Sequence, residues 1–263
     1  MRDPPVSVGG FDGGGVPLVA VAHGSQDERS SAAVERLFDG VRRLRPELDV
    51  RVAYLDHVTP GAEEAITGLA AEGAGEVVVL PTLLTAAYHS KVDLPEVLAR
   101  VRESCPWLRI HYGQTLGPHP LLLEAVEHQL TGTDVAPDPA TALVLACAGS
   151  SDAGANATIG ALAEQLAARG PWGRVVPAFA SMASPTPGEA VARLRESGVA
   201  RVAVASYLLA PGFFADRVAD QAFAEGAAAV SAALADAPEL ARLVVHRYEE
   251  ARSGIPLSGV ATR

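Results

Sequence analysis

The 263-residue chain carries one pattern twice. AHGSQD, from Ala22, matches CAGSSD, from Cys147, at an offset of 125 residues that sets His23 against Ala148. At the same offset VAYLDHVTPGAEEAI, from Val52, meets PAFASMASPTPGEAV, from Pro177, so that Pro60 falls on Pro185 and Glu64 on Glu189. Gly73 then falls on Gly198, and Leu83-Leu84 on Leu208-Leu209. Toward the end the offset shortens to 118, where Leu116 meets Leu234 and His128 meets His246. A register held this long without a gap implies a duplicated unit.

Each unit alternates apolar runs with segments of helical period. PLVAVA (17–22) precedes SSAAVERLFDGVRRL, in which Val34, Leu37, Phe38 and Val41 recur at helical spacing. VRVAYL (50–55), EVVVLPTLL (76–84) and WLRIHYG (107–113) are each followed by a further helical segment. Strands joined by crossover helices form parallel sheets, and near-continuous apolarity indicates burial on both faces. The expected fold is therefore α/β: two tandem Rossmann-like domains, each a four-stranded parallel sheet with flanking helices. The expected boundaries are an N-terminal tail at 1–15, a first domain at 16–131, a second at 141–251 and a C-terminal tail at 252–263. TGTDVAPDPAT (131–141) has the Pro, Gly and Asp content of a linker.

A formal charge of −10 argues against nucleic acid and against an anionic membrane surface, since both require a basic face. An anionic small molecule must then be held by local cations and backbone N–H groups. The N-terminal segment lacks the apolar core of a signal peptide, and no run approaches a membrane span. Two cysteines, Cys105 and Cys147, make no disulfide framework, so a cytoplasmic protein is expected.

The duplication exposes an asymmetry. Ligands of open parallel sheets bind beyond the carboxyl ends of the strands. In the first half those positions hold His23, Asp56 with His57, His89 and His119. The second half holds Ala148, Ser181 and Phe214 where the first has His23, Asp56 and His89. The scaffold is kept and the ionisable groups are gone, so the first half is expected to carry a site that the second shapes or closes. His57 is an alternative to Asp56 as the working group, and His119, in GPHP, is either a site residue or a helix-start residue. His111 is expected to be structural, His128 and His246 to belong to a shared helix surface, and Cys147 to act as a small buried hydrophobe. Two imidazoles and a carboxylate suit proton transfer near neutral pH or an open, transient site for a divalent metal. Closed structural metal sites instead carry four ligands with local spacing. A phosphate-binding fingerprint of the G-x-x-x-x-G-K or G-x-G-x-x-G kind is missing from the strand–helix turns.

VAVAHGSQDERS, VAYLDHVTP and LLTAAYHSKVDLP together resemble the CbiX-type, or class II, chelatases, in their long two-domain form. The resemblance covers the first half in order and the second as a degenerate copy. It implies insertion of a divalent metal, Co2+ or Fe2+, into sirohydrochlorin for cobalamin or sirohaem synthesis. By motif, His23 and His89 take the catalytic and metal-contacting roles. Asp56, four residues before Pro60, takes the place of an assisting carboxylate that is usually Glu in that family. The resemblance implies no permanently bound cofactor, the metal being a substrate, and a monomer whose cleft is completed by the fused second half. Phe213 and Phe214 are expected to form an apolar wall opposite the histidines. Ser25, Arg29, Ser90 and Lys91, the only lysine of the chain, are expected to meet the rim carboxylates of the macrocycle. The rival reading is a non-catalytic metal or tetrapyrrole carrier using the same residues.

Overall fold

The computed structural model describes residues 15–86 and 92–254. The strands are β1 (Leu18–Ala22), β2 (Val50–Tyr54), β3 (Glu76–Pro81) and β4 (Arg109–Tyr112), then β5 (Thr141–Cys147), β6 (Arg174–Phe179), β7 (Arg201–Ser206) and β8 (Ala229–Val230). The helices are α1 (Glu28–Leu44), α2 (Ala62–Ala71), α3 (Leu94–Ser104), α4 (Pro120–Thr131), α5 (Ala153–Arg169), α6 (Pro187–Glu196), α7 (Phe213–Ala224) and α8 (Pro238–Ser253). They form two parallel sheets of the same topology, β2-β1-β3-β4 and β6-β5-β7-β8. The fold is thus the expected α/β duplication, with the four strands of the first half close to their expected places.

Strand alternation sorts the core into layers. On β1 and β3, Val19, Val21, Val77 and Val79 pack outward with Ile66 and Leu69 of α2 and Leu98 and Val101 of α3. Val144, Val202 and Val204 do the same beside Val191 and Leu194 of α6 and Val218 of α7. The opposite faces, with Leu18, Ala20, Val78 and Leu80 from one sheet and Leu143, Leu145, Ala203 and Ala205 from the other, belong to one continuous apolar cluster. That cluster also takes in α1, α4, α5 and α8, so the two halves share a central helical layer. Burial of each of its Leu or Phe side chains contributes about 2 kcal/mol, which is why the halves hold together without covalent help beyond the linker.

Within this layer the fourth helices are exchanged. Helix α8 of the second half lies on β3 and β4 of the first sheet, beside α1, while α4 of the first half lies on β7 of the second. Polar ties follow the exchange. Tyr248 on α8 is buried and its hydroxyl donates to the Val16 carbonyl at 2.7 Å, at the entrance to β1. Arg247, also buried, donates to the carbonyls of Leu116 and Pro118 at 3.2 and 3.3 Å. In the other direction Arg169 on α5 pairs with Glu127 on α4 at 2.8 Å. No described helix is long and apolar enough to cross a membrane.

Candidate functional site in the cleft between the halves

The carboxyl ends of both sheets open into one cleft of about 1170 Å3. The β1 end builds one wall. His23 follows the strand, Gly24 turns the chain, Ser25 accepts a hydrogen bond from the Asp27 N–H at 3.1 Å, and Asp27 caps α1. Gly24 has φ +91°, and a β-carbon there would lie 1.8 Å from the Asp56 carbonyl oxygen. The Asp56 N–H in turn donates to the His23 carbonyl at 3.0 Å. The two loops are therefore sewn together through backbone groups, and only glycine fits the crossing point.

The second half repeats this stitch with different side chains. Gly149 has φ +86° and its β-carbon would meet the Ser181 carbonyl at 1.9 Å, while the Ser181 N–H donates to Ala148 at 2.9 Å. Ser150 accepts from the Asp152 N–H at 3.1 Å, as Ser25 does from Asp27. The serine oxygen at this position, Ser25 or Ser150, therefore serves the turn in both copies; that bond does not use the hydroxyl hydrogen.

His23 is exposed to the cleft, and its Nδ1 lies 3.0 Å from the Gly24 carbonyl. A carbonyl only accepts, so Nδ1 carries the hydrogen and Nε2 holds the lone pair. That is the tautomer needed to bind a metal or take a proton with Nε2. Asp56, expected beside His23, is held there by the backbone but is not among the cleft-lining residues. His57, its neighbour, does line the cleft. His89, Ser90 and Lys91 lie outside the described residues. Among the described residues, no three His, Cys, Asp or Glu side chains are grouped so as to hold a metal ion.

The second half forms the opposite wall. Phe213 and Phe214 open α7 and meet edge to face, 5.5 Å between centroids, and both line the cleft. Met182, the counterpart of His57, is 73% exposed on the same side. Cys147 is buried at the back, and burial pushes its thiol up to about 12, so it stays neutral, as expected of a small hydrophobe. Gly212 precedes α7 with no side-chain cap, which leaves the helix N-terminus beside the cleft.

Arg29 departs from its expected role. Its Nη2 lies 2.6 Å from both Asp27 Oδ2 and Asp216 Oδ2, tying α1 to α7 across the two halves. These two carboxylates raise the guanidinium well above its ordinary value, and Arg29 in turn holds Asp27 below the usual carboxylate range. Asp27 and Asp216 line the cleft and Arg29 does not, so in this structure its charge is spent on the protein's own carboxylates. The sequence gives no hint of this pairing, because Asp216 lies 187 residues away.

The remaining histidines lie away from the cleft lining. His111 Nε2 meets Glu76 at 2.7 Å across β3 and β4. His128 and His246 lie 3.6 and 3.4 Å from Glu239 and Glu250, within the helical layer. His119 Nδ1 accepts the Leu121 N–H at 3.1 Å and so caps α4. Burial, Arg247 and His246 lower its pKa to about 4, which keeps it neutral and fits it for that acceptor role.

A half that brings His23 and His57 to the cleft, facing a copy that lines it without histidine, defines a duplicated α/β protein with a cleft at its sheet ends. The CbiX family model matches residues 17–133 and 142–251, and the chain belongs to the CbiX family. The sirohydrochlorin ferrochelatase of Priestia megaterium is 25% identical over 207 residues, 78% of this chain and 77% of the relative. The sirohydrochlorin cobaltochelatase of the same organism is 27% identical over 208 residues, 76% of this chain and 66% of that protein. Among solved structures, SirB from Bacillus subtilis with Fe3+ superposes with a TM-score of 0.80 at 24% identity, covering 89% of this chain and 94% of SirB. SirB from Bacillus subtilis subspecies spizizenii in complex with cobalt gives 0.74 at 22% identity, covering 90% and 95%. Both structures share the fold.

Proposed function

We propose that the protein is a sirohydrochlorin chelatase that inserts Co2+ or Fe2+ into the macrocycle. The observation that carries this reading is the one-sided cleft: His23 presents an imidazole from the carboxyl end of β1, and an aromatic and thioether wall faces it from the duplicate. Relatives named for iron and for cobalt insertion stand at similar distances, so the reaction class is supported more strongly than either metal.

Insertion exchanges two pyrrole N–H protons for one divalent metal, so the site needs proton acceptors and a transient metal contact. His23 and His89 take these roles, with Nε2 of His23 as the reactive nitrogen. Phe214 packs on a face of the macrocycle, and Ser25, Ser90, Lys91 and the N-terminus of α7 meet its carboxylates. The first half, 16–131, supplies the reacting groups and the second, 141–251, supplies the wall. The metal is a substrate and no cofactor is retained. The chain acts in the cytoplasm, and as a monomer, because a cleft lined by both fused halves needs no second copy.

The test mixes protein at a tenth of the substrate concentration with sirohydrochlorin and Co2+ or Fe2+, without oxygen, and follows macrocycle absorbance. Many turnovers per chain support the chelatase. Saturation at one equivalent supports the carrier.

A further inference from the structure

Asp56 is placed by the backbone beside His23, yet its carboxylate is committed elsewhere. Oδ1 accepts the His57 N–H at 2.8 Å, and Oδ2 lies 3.4 Å from His57 Nε2. The carboxylate is 64% exposed outside the cleft lining, whereas the His57 ring, 37% exposed, belongs to that lining. The cause is a left-handed residue, φ +63° at His57, in a position where histidine is better tolerated than most side chains. The duplicate confirms that the turn, not the side chain, sets this direction: Met182 has φ +60° and also lines the cleft. The scaffold thus delivers the residue after Asp56 into the cleft, an imidazole in one half and a thioether in the other. This is the same asymmetry as His23 against Ala148.

Resting on the chelatase reading, we propose that His57 accepts one of the two pyrrole protons, and that Asp56 is its positioning residue. His57 lines the cleft and takes the proton on a ring nitrogen, with an Asp56 carboxylate oxygen 3.4 Å from its Nε2. The pyrrole N–H bond breaks, its electron pair stays on nitrogen and becomes the metal–nitrogen bond, and the proton passes from His57 to water at the open mouth. Asp56 offsets the charge of the imidazolium formed in that step.

The test is steady-state Co2+ insertion by wild type, His57→Asn, Asp56→Asn and the double variant, with melting temperatures alongside. Asparagine tolerates the left-handed backbone, so the turn is preserved; His57→Gln serves as a second variant if His57→Asn melts early. The expected result is a kcat about 100-fold lower for His57→Asn with KM unchanged within about twofold. Asp56→Asn is expected to lose about tenfold, and the double variant no more than His57→Asn alone, since Asp56 acts through His57. Wild-type kcat in both His57 variants, or an Asp56→Asn loss undiminished in the His57→Asn background, overturns this assignment and leaves the chelatase reading standing. A wild type without turnover overturns the chelatase reading itself.

Discussion

Gly24 sits against the Asp56 carbonyl so closely that a β-carbon would come within 1.8 Å of it, and Gly149 sits against Ser181 in the same way at 1.9 Å. This crossing joins the loop after β1 to the loop after β2 and brings His23 and the Asp56–His57 pair to one place. The second half keeps the crossing where it lacks the ionisable side chains, which separates what the fold needs from the side chains proposed to react.

Gly24→Ala is therefore expected to destabilise the protein by more than about 2 kcal/mol, because it adds a backbone collision to an unfavourable φ. Gly73 has φ +100° but open space around its β-carbon position. Gly73→Ala should cost only about 1 kcal/mol, the conformational part alone. Urea unfolding of the two variants checks the difference.

Asp216, which lines the cleft, makes an exposed ion pair with Arg29. Removing the charge at Asp216 takes a negative group from the cleft mouth and leaves Arg29 paired with Asp27 alone. Asp216→Asn is expected to lower KM for a polycarboxylate substrate about threefold at low salt, and the gain should fade near physiological ionic strength, where exposed charges are screened over about 8 Å. Kinetics at two salt concentrations test this.

His119 gives the fold an acid limit. Its folded pKa of about 4 lies below the ordinary 6.5, with His246, Arg247 and Glu250 around the ring. Between those values the unfolded chain takes up a proton that the folded chain refuses. Stability is therefore retained above pH 6.5 and lost as pH falls toward 4. His119→Asn keeps a capping side chain without that titration. Its unfolding free energy should fall less than wild type between pH 7 and pH 4.5, by about 2 kcal/mol.

The strands were legible because both faces of each sheet are covered, which leaves runs such as Val77–Val79 almost purely apolar. The lost histidines were legible because the two copies share a register. The exchange of α4 and α8 was not: an amphipathic stripe such as Leu240, Leu243 and Val244 records that a helix is buried but not which sheet it covers. Nor was it legible that His57 rather than Asp56 lines the cleft, which depends on one left-handed residue, nor the capture of Arg29 by a carboxylate from the other half.

The exchange itself predicts that the first half is not self-sufficient. Residues 1–133 alone lack α8, so Val78 and Leu80 of β3 lose cover, and α4 has no second sheet to lie on. Expressed alone, that segment is expected to unfold or to pair with a second copy that offers its own α4. Light scattering after gel filtration detects this, and a well-folded monomer would contradict it.

The central claim is that His23 carries chemistry that its duplicate position, Ala148, has lost. The most direct measurement is anaerobic insertion of Co2+ and of Fe2+ into sirohydrochlorin by wild type and His23→Ala, with melting temperatures confirming that both are folded. The account predicts multiple turnovers in wild type and a loss of about 100-fold or more in the variant. Equal rates in the two proteins, or a wild type no faster than the protein-free reaction, would contradict it.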